Sequence, residues 1–228
     1  MKIKHTLKNG NDITIVRLEA DHLSEILTLQ QKVIDSLATG GFLQPLTEEE
    51  FLTILNGKGP MIGAYADEQL IAFRAMLEPE VDDKEHLGID AGLSKDELPL
   101  VLYSEITNVD PNFRGNNLQV VLGKHLFEEV DQERFRYICT TVAPFNIASL
   151  KDKFTHGMQI VSLKVKYGNL LRYILVKDLK QPVVMNNYTT SCSVEMANTE
   201  EQQRLLQDGW IGTGMEYIDE QWVVRLER

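Results

Sequence analysis

Residues 101–126 constrain the fold more than any other stretch, because they predict a strand, a turn and a helix in direct succession. The first nine of these residues are rich in Val, Ile, Tyr and Thr, which favour strands. Asp110-Pro111-Asn112 then predicts a turn. From Leu118 onward apolar residues recur at helical spacing, so we expect a helix that begins one or two residues earlier and buries one face.

The turn between this strand and this helix has the features of an anion site. Unpaired main-chain N–H groups and the positive end of the helix dipole meet at a helix N-terminus, and the predicted first turn contains no acidic residue. Arg114 adds a positive charge, Gly115 permits close approach of the backbone, and Asn116 and Asn117 tolerate positive φ. These features predict a pyrophosphate site. An ordinary strand-to-helix connection capped by Asn explains the same residues.

A second strand and helix follow the first pair. Residues 135–142 are rich in aromatic and β-branched residues and predict a strand. Asn146 then opens a short helix that closes at Gly157, a residue type typical of helix C-termini. The resulting order is strand, helix, strand, helix.

These two pairs together resemble the GNAT superfamily of acyl-CoA-dependent N-acyltransferases. The family pattern Val-x-Pro-x-aromatic-Arg-Gly-x-Gly-[Ile/Leu]-[Gly/Ala] is matched from Val109 onward, with two departures. Asn117 stands where the family has Gly, which is a mild conformational change. Gln119 stands where the family has Gly or Ala, and its side chain would either crowd a pyrophosphate or hydrogen-bond to it.

The downstream family pattern is also present. The family has an Asn, then Ala or Ser three residues later and Gly eleven residues later, which Asn146, Ser149 and Gly157 match, with Met158 in place of the usual Phe. The resemblance extends over residues 13–177, and the order and spacing of its two halves make it specific.

The resemblance implies acetyl-CoA as co-substrate and assigns residues to it. The pantetheine arm would pair with the exposed edge of the first strand, and Asn146 would bind that arm or the sulfur region. The implied cofactor-binding residues are Thr107, Asn108, Val109, Arg114, Gly115, Asn116, Asn117, Leu118, Gln119, Asn146 and Ser149.

Glu105 is the candidate catalytic base. Attack on a thioester needs a neutral amine, so a group must accept its proton, and many family members carry a carboxylate four residues before the Val of the pattern. Strand alternation predicts that Glu105, Thr107 and Val109 share one face, where burial would raise the carboxyl pKa. The alternative is an ion pair between Glu105 and Arg74 across the sheet.

The general acid is not apparent from the sequence. The family's usual acid is a Tyr seven residues after the helix Asn, and Lys153 occupies that position here. A proton donor is therefore absent, unnecessary, or supplied elsewhere by Tyr103, Tyr137 or His156.

Composition and charge restrict the partners. The 228 residues carry a formal net charge of −11 at pH 7, whereas binding to a phosphate backbone needs a basic face. We therefore expect no nucleic acid as a partner. A local set of amides with Arg114 still suffices to hold a pyrophosphate, and a negative surface favours a cationic acceptor such as an amine.

The sequence predicts a cytoplasmic protein without a membrane partner. No run approaches the ~20 apolar residues of a membrane helix, and the N-terminus lacks the apolar core of a signal peptide. Two cysteines, Cys139 and Cys192, are expected to be reduced thiols. Five histidines without paired ligand spacing predict no metal site.

The parts of the chain outside the motif predict the remaining elements. Residues 13–18 predict a strand, a helix follows, and Thr47 to Glu50 form a capping box that opens a second helix. The loop residues Phe42, Leu43 and Gln44 would face the acceptor substrate. The alternative is that Phe42 and Leu43 pack into the hydrophobic core. Residues 78–98 are acidic and predict a solvated excursion, with an acceptor-side lid as the alternative.

We therefore predict an α/β, GNAT-like fold. It has a mixed, mostly antiparallel central sheet with one splayed parallel strand pair, flanked by helices. Residues 1–178 would form the acyltransferase domain, and residues 179–228 a C-terminal strand–helix–hairpin extension. That extension would pack on the core, contribute to the pocket or build a homodimer interface.

The leading functional hypothesis is an acyl-CoA-dependent N-acetyltransferase acting on a primary amine of a small molecule or a protein. The altered motif residues and the missing Tyr favour an alternative, a catalytically silent acyl-CoA-binding sensor or scaffold of the same fold. A third possibility is a fold relative that has lost the cofactor.

Overall fold

The computed structural model describes residues 2–37, 43–181 and 188–228. Two compact units divide the chain. The first comprises Met1–Glu78 and Tyr103–Asp131, and the second Pro79–Leu102 and Gln132–Arg228. The predicted extension, residues 179–228, falls entirely in the second unit. The division at residue 178 into a domain and an extension stays a prediction.

Strands and short helices alternate along the described chain. The strands are β1 Lys2–Thr6, β2 Asp12–Arg17, β3 Met61–Ala66, β4 Gln69–Leu77, β5 Val101–Val109, β6 Tyr137–Val142, β7 Gln159–Lys166, β8 Leu170–Asp178, β9 Ser191–Glu195, β10 Ile211–Ile218 and β11 Gln221–Glu227. The helices are α1 Leu23–Asp35, α2 Glu48–Thr53, α3 Leu87–Asp90, α4 Leu118–Glu128, α5 Ile147–Thr155 and α6 Thr199–Gln207.

Strands β1 to β5 pair antiparallel in sequence order in the first unit. One core lies where α1 and α2 pack against this sheet, and its fully buried side chains include Ile26, Phe51 and Phe73. The apolar residues of α1 recur three and four positions apart, so the helix buries one stripe. Strand β1 was not predicted, because its charged and polar residues belong to an exposed edge strand.

A bulge interrupts β5. Ala75 pairs with Ile106 and the next residue, Met76, pairs with Ser104, so Glu105 is an extra residue in the ladder. Burial nevertheless alternates along this part of β5, and Glu105, Thr107 and Val109, for which a shared face was predicted, are all half-buried between buried neighbours.

The second unit has the strand order β6-β8-β7-β10-β11-β9, with antiparallel pairs throughout. The predicted hairpin of the extension is present as β10–β11, and β7 and β8 form another hairpin. Gly212 allows β10 to approach β7, since a Cβ there would lie 2.8 Å from Cβ of Ile160. The ladder between β10 and β11 also shifts between Gly212 and Gly214, so a bulge lies at the same place.

The predicted excursion, residues 78–98, is not solvated throughout. It contains α3 and buries Leu87 and Leu98. Asp90 also pairs with Lys164 at 2.9 Å and with Lys166 at 2.8 Å on β7. Charged residues dominate its sequence, but a few apolar side chains and ion pairs fix it to the second unit.

The predicted class, a mixed and mostly antiparallel α/β fold with flanking helices, is confirmed. The capping box at Thr47 and Glu50 is also confirmed, because each side chain accepts the other residue's main-chain N–H. Leu43 packs against the core of the first unit, and Gln44 is exposed. Phe42 lies outside the described residues.

No helix in the described residues is long and apolar enough to span a bilayer. The same residues contain no cluster of three or more His, Cys, Asp or Glu side chains that could hold a metal ion. Cys139 is buried, which raises its pKa to about 12, so its thiol is protonated at neutral pH.

Candidate functional site

The turn between β5 and α4, which we call the anion turn (residues 114–119), has two left-handed residues separated by one. Gly115 has φ +82° and Asn117 has φ +62°. Alternation of left-handed and other conformations turns successive N–H groups toward a common point, the arrangement known as a nest. The helix begins at Leu118, one residue after the predicted start, with Asn117 as its N-cap, and Asn117 adopts the positive φ that the sequence analysis expected it to tolerate.

The main-chain N–H groups of this turn are available to a ligand. Asn117 makes no side-chain capping bond, and the Asn116 side chain donates to the carbonyl of Phe113 rather than accepting. In the part of the chain that the structure describes, no protein acceptor meets the N–H groups of residues 115–120. The alternative of an Asn-capped connection therefore does not account for these amides.

The electrostatic environment of the anion turn is positive. The first turn of α4 has no acidic residue, and its dipole favours an anion at this end. Arg114 is exposed and donates to Oγ of Ser36 at 2.7 Å. A guanidinium has five N–H donors, so this bond leaves most of them for a ligand.

The main chain of Gln119 does not occupy the N–H groups of the anion turn. Its carbonyl accepts from Nη1 of Arg74 at 2.9 Å, and its partly exposed side chain makes no hydrogen bond within the described residues. Arg74 is fully buried, also donates to Oγ of Ser104 at 3.1 Å, and lies over the ring of Phe127 at 5.3 Å. This guanidinium fixes α4 on the sheet and so fixes the position of its N-terminus.

A buried carboxylate ties the turn to the rest of the first unit. The side chain of Asp110 is 0% exposed and its Oδ2 accepts from Nζ of Lys32 at 2.7 Å. Asp110 also accepts from Nε2 of Gln69 at 3.3 Å and from the main-chain N–H of Asn112 at 2.9 Å. Residues from α1, β4 and the turn thus converge on one carboxylate.

We expect Lys32→Met to destabilise the fold, because it removes the only charged partner described for a buried carboxylate. The free energy of unfolding should fall by about 2 kcal/mol, measured by urea denaturation. Lys4→Met, on the exposed strand β1, is the matched control and should change it little. If the two substitutions have equal effects, the Lys32–Asp110 pair does not anchor the turn.

Glu105 has the proton affinity of a base that works near neutral pH. Its partial burial and the nearby charge of Glu50 raise its pKa to about 7. An ion pair with Arg74 would have lowered this pKa, and none is present, so the alternative of an Arg74–Glu105 pair is wrong. A carboxyl with a pKa near 7 exchanges protons readily at physiological pH.

The residues of β5 that were predicted to bind pantetheine are the last three of the strand. Thr107, Asn108 and Val109 pair with Arg74, Phe73 and Ala72 of β4 along one edge. The side chain of Asn108 is buried, and neither its oxygen nor its nitrogen has a hydrogen-bond partner among the described residues. That orphaned amide was not foreseen, because the prediction concerned only the backbone.

Asn146 and Ser149 belong to the second unit, whereas Glu105 and the anion turn belong to the first. Asn146 caps α5, since its Oδ1 accepts the N–H of Ser149 at 3.3 Å. Gly157 follows the helix with φ +73°, as predicted for its C-terminus. The capping bond leaves the Asn146 amide nitrogen for a ligand.

No protein-family model matches the sequence, and no curated protein matches it. The structure is similar to the GNAT domain of PAT from S. lividans, with a TM-score of 0.57 at 15% identity over 78% of this chain and 97% of that one. It is also similar to the ribosomal-protein-S18-alanine N-acetyltransferase of Escherichia coli, with a TM-score of 0.54 at 15% identity over 75% and 96%.

A third similar structure is the paiA N-acetyltransferase of Thermoplasma acidophilum, in complex with coenzyme A. Its TM-score is 0.52 at 13% identity over 73% of this chain and 98% of that one. The chain has the GNAT fold. These GNAT chains are matched almost completely, so the shared fold accounts for about three quarters of the residues.

Lys153 stands at the position where the family resemblance predicted a Tyr. Lys153 is buried and pairs with Asp152 at 3.0 Å, and His156 lies 3.3 Å from the same carboxylate. The hydroxyl of Tyr137 donates to Glu97 at 2.5 Å, and burial together with Glu97 raises the Tyr137 pKa to about 12. Lys153 and Tyr137 are thus each held by a carboxylate, and His156 lies beside one.

Proposed function

We propose that the chain is an acyl-CoA-dependent N-acetyltransferase that transfers an acetyl group from acetyl-CoA to a primary amine. The observation that carries the proposal is the anion turn, whose N–H groups have no protein acceptor in the described residues. A diphosphate supplies the acceptor oxygens that such a turn lacks. The GNAT fold, and coenzyme A in one similar structure, support the same cofactor.

In this proposal, residues 114–119 bind the pyrophosphate through main-chain N–H groups, with Arg114 adding charge. Thr107, Asn108 and Val109 would pair with the pantetheine amides as a neighbouring strand does. Asn146 and Ser149 are assigned to the pantetheine arm on the family resemblance alone.

Glu105 acts as the base. The neutral amine attacks the thioester carbonyl, the new C–N bond forms, the C–S bond breaks, and the electron pair leaves with sulfur as a thiolate. The amine nitrogen gives up one proton, which Glu105 accepts directly or through water. Its pKa of about 7 suits this transfer at neutral pH.

The proposed acceptor is an amine of a small molecule or a protein. The net charge of −11 favours a cationic acceptor at neutral pH. One similar structure is named for acetylating a ribosomal protein, so protein amino groups belong in any acceptor screen. A cytoplasmic location and a homodimer remain predictions from the sequence.

A second candidate function is a catalytically silent acyl-CoA-binding sensor or scaffold. The specific observation that favours it is the buried Lys153–Asp152 pair at the family's Tyr position. A cation in an ion pair with a buried carboxylate is a poor proton donor to a departing thiolate. The acetyltransferase and the sensor would both bind acyl-CoA, but only the acetyltransferase would transfer the acyl group to an amine.

Calorimetry with coenzyme A, followed by a thiol-release assay with acetyl-CoA and a panel of amines, tests both functions. We expect binding in the micromolar range and release of thiol that depends on the amine. Binding without turnover on small amines and on amine-bearing peptides would favour the sensor. If calorimetry detects no heat of binding at millimolar coenzyme A, both the acetyltransferase and the sensor function are overturned.

A further inference from the structure

The hairpin β10–β11 carries an exposed aromatic pair at its end, which we call the hairpin tip (residues 216–222). Tyr217 and Trp222 lie opposite each other in the ladder, with ring centres 5.2 Å apart. Tyr217 is 60% exposed, and the next residue, Ile218, is 42% exposed. Exposed apolar side chains that lie together mark interaction sites, and Tyr and Trp are enriched at protein interfaces.

The hairpin tip projects beyond the strands that flank it. Along the described strands, β10 pairs with β7 only at Gly212, and β9 pairs with β11 only from Val223 onward. Residues 216–221 are accordingly all exposed. The tip is therefore accessible to a partner from its apex and from its sides.

The apex of the hairpin tip is a tight, preformed turn. Ile218 pairs with Gln221, so Asp219 and Glu220 form a two-residue loop. Both have positive φ, +48° and +64°, as a type I′ turn requires. Such turns favour Asn-Gly at these positions, whereas this chain has two carboxylates there. The turn thus holds two negative charges at a fixed place, within two residues of the aromatic pair.

The hairpin tip is negatively charged. Glu216, Asp219 and Glu220 are acidic, and none of residues 216–222 is basic. Arg225 lies 3.8 Å from Glu216 and partly offsets that charge. Asp219 and Glu220 make no ion pair within the residues that the structure describes. Their charges are therefore available to a cationic partner.

One ring of the aromatic pair already receives a cation from its own unit. Nζ of Lys151, on α5, lies 5.3 Å from the centre of the Trp222 ring, within the range of a cation–π interaction. The more exposed ring of Tyr217 has no such cation in the described part of the chain. Lys and Arg side chains lay their apolar stems on such surfaces while their charged ends stay in water. The Tyr217 ring therefore suits a basic side chain of a partner.

We infer that the hairpin tip is a docking surface for a basic segment of a partner protein. Lys or Arg side chains of that segment lie on the ring of Tyr217 and reach the carboxylates of Asp219 and Glu220. A symmetric contact between the tips of two copies would bring like charges together, and the same charges repel nucleic acids and anionic lipid surfaces. Docking here goes beyond the proposed function, because it concerns a partner protein and does not depend on acyl transfer.

The test is a titration with an oligolysine peptide at low ionic strength. Trp210 and Trp222 are the two tryptophans of the sequence, so in a Trp210→Phe background the fluorescence reports on the hairpin tip. We expect a saturable change. Asp219→Asn combined with Glu220→Gly removes both charges and introduces the residues that the turn favours, and it should raise the dissociation constant about tenfold. Tyr217→Thr, which keeps a good strand residue, should raise it about two- to fivefold.

The hairpin β3–β4 provides a matched control, because its two-residue loop, Asp67-Glu68, has the same sequence. Asp67→Asn combined with Glu68→Gly removes the same charges from the first unit and should change the dissociation constant less than about twofold. Equal weakening by the two double substitutions would show non-specific attraction to a protein of net charge −11 and would overturn the inference. Unchanged affinity in the tip variants would also overturn it.

Further measurements test other occupants of the hairpin tip. An oligoglutamate peptide and vesicles of anionic lipid should not change the Trp222 fluorescence, and a saturable change with either would contradict a basic partner. Sedimentation should give the same oligomeric state for the wild-type protein and for the double substitution at Asp219 and Glu220. If that substitution dissociates a wild-type dimer, the tip binds a second copy and the inference is wrong. No coenzyme A is used in these experiments, so their failure leaves the proposed acetyltransferase function intact.

Discussion

Glu105→Gln is expected to lower kcat/KM for amine acetylation by about 10²- to 10⁴-fold, the range typical of a lost general base. The amide has nearly the shape of the carboxyl group but accepts no proton. Binding of acetyl-CoA should change little, because the anion turn is untouched. Steady-state kinetics on the best acceptor and calorimetry with coenzyme A measure the two effects. Unchanged turnover would remove Glu105 from the mechanism.

The pH dependence of kcat/KM provides an independent check on Glu105. Burial and the charge of Glu50 raise its pKa to about 7, and the base acts only when ionised. The value of kcat/KM should therefore rise with pH through about 7. This rising limb of the pH profile should be absent from the residual activity of Glu105→Gln.

Glu50→Gln is the matched variant for that profile. It removes a charge that raises the Glu105 pKa, so the limb should move to lower pH. Gln still accepts the N–H of Thr47, so the capping box is preserved. A limb that stays in place would show that another group titrates.

The same pKa predicts how stability depends on pH. A carboxyl whose pKa is raised on folding stabilises the protein fully below its unfolded pKa, near 4.3, and loses that contribution as pH rises through about 7. The stability of the wild-type protein relative to Glu105→Gln should therefore fall between these two values.

Arg114→Ala is expected to raise the dissociation constant for coenzyme A by about 10- to 100-fold at low salt, because charge-assisted hydrogen bonds to a phosphate are lost. Calorimetry or a fluorescence displacement assay measures this constant. The effect should shrink as ionic strength rises, since Arg114 is exposed.

Two controls locate this effect at the pyrophosphate. Arg17→Ala removes the same charge from an exposed side chain paired with Glu129 and should not alter binding. Pantetheine, which has no phosphate, should bind wild type and Arg114→Ala equally. If the substitution weakens coenzyme A and pantetheine to the same degree, Arg114 does not contact the pyrophosphate.

Local signals in the sequence predicted several features that the structure confirms. The presence of α4 directly after the anion turn, the positive φ of Asn117 and the end of α5 before Gly157 each depend on residues within one or two turns of the chain. The predicted hairpin of the C-terminal extension depends on equally local signals. Such features follow from backbone propensity and capping, which neighbouring residues decide.

Contacts between distant residues were not predictable in this way. Lys32 and Asp110 are 78 positions apart, and nothing near Asp110 indicated that its carboxyl would be buried. The hydrogen bond from Phe145 to Met196 joins residues 51 positions apart. The bulge at Glu105 depends on the register with β4, which the sequence of β5 does not specify.

The sequence by itself determined where a turn with free N–H groups would meet a helix and that a carboxyl, Glu105, would lie four residues before Val109 in the preceding strand. Only the tertiary structure decided which charges are buried, which of them are paired, and that burial and Glu50 raise the Glu105 pKa to about 7. The physical reason is that backbone conformation depends on adjacent residues, whereas burial and charge pairing depend on side chains that folding brings together from distant parts of the chain.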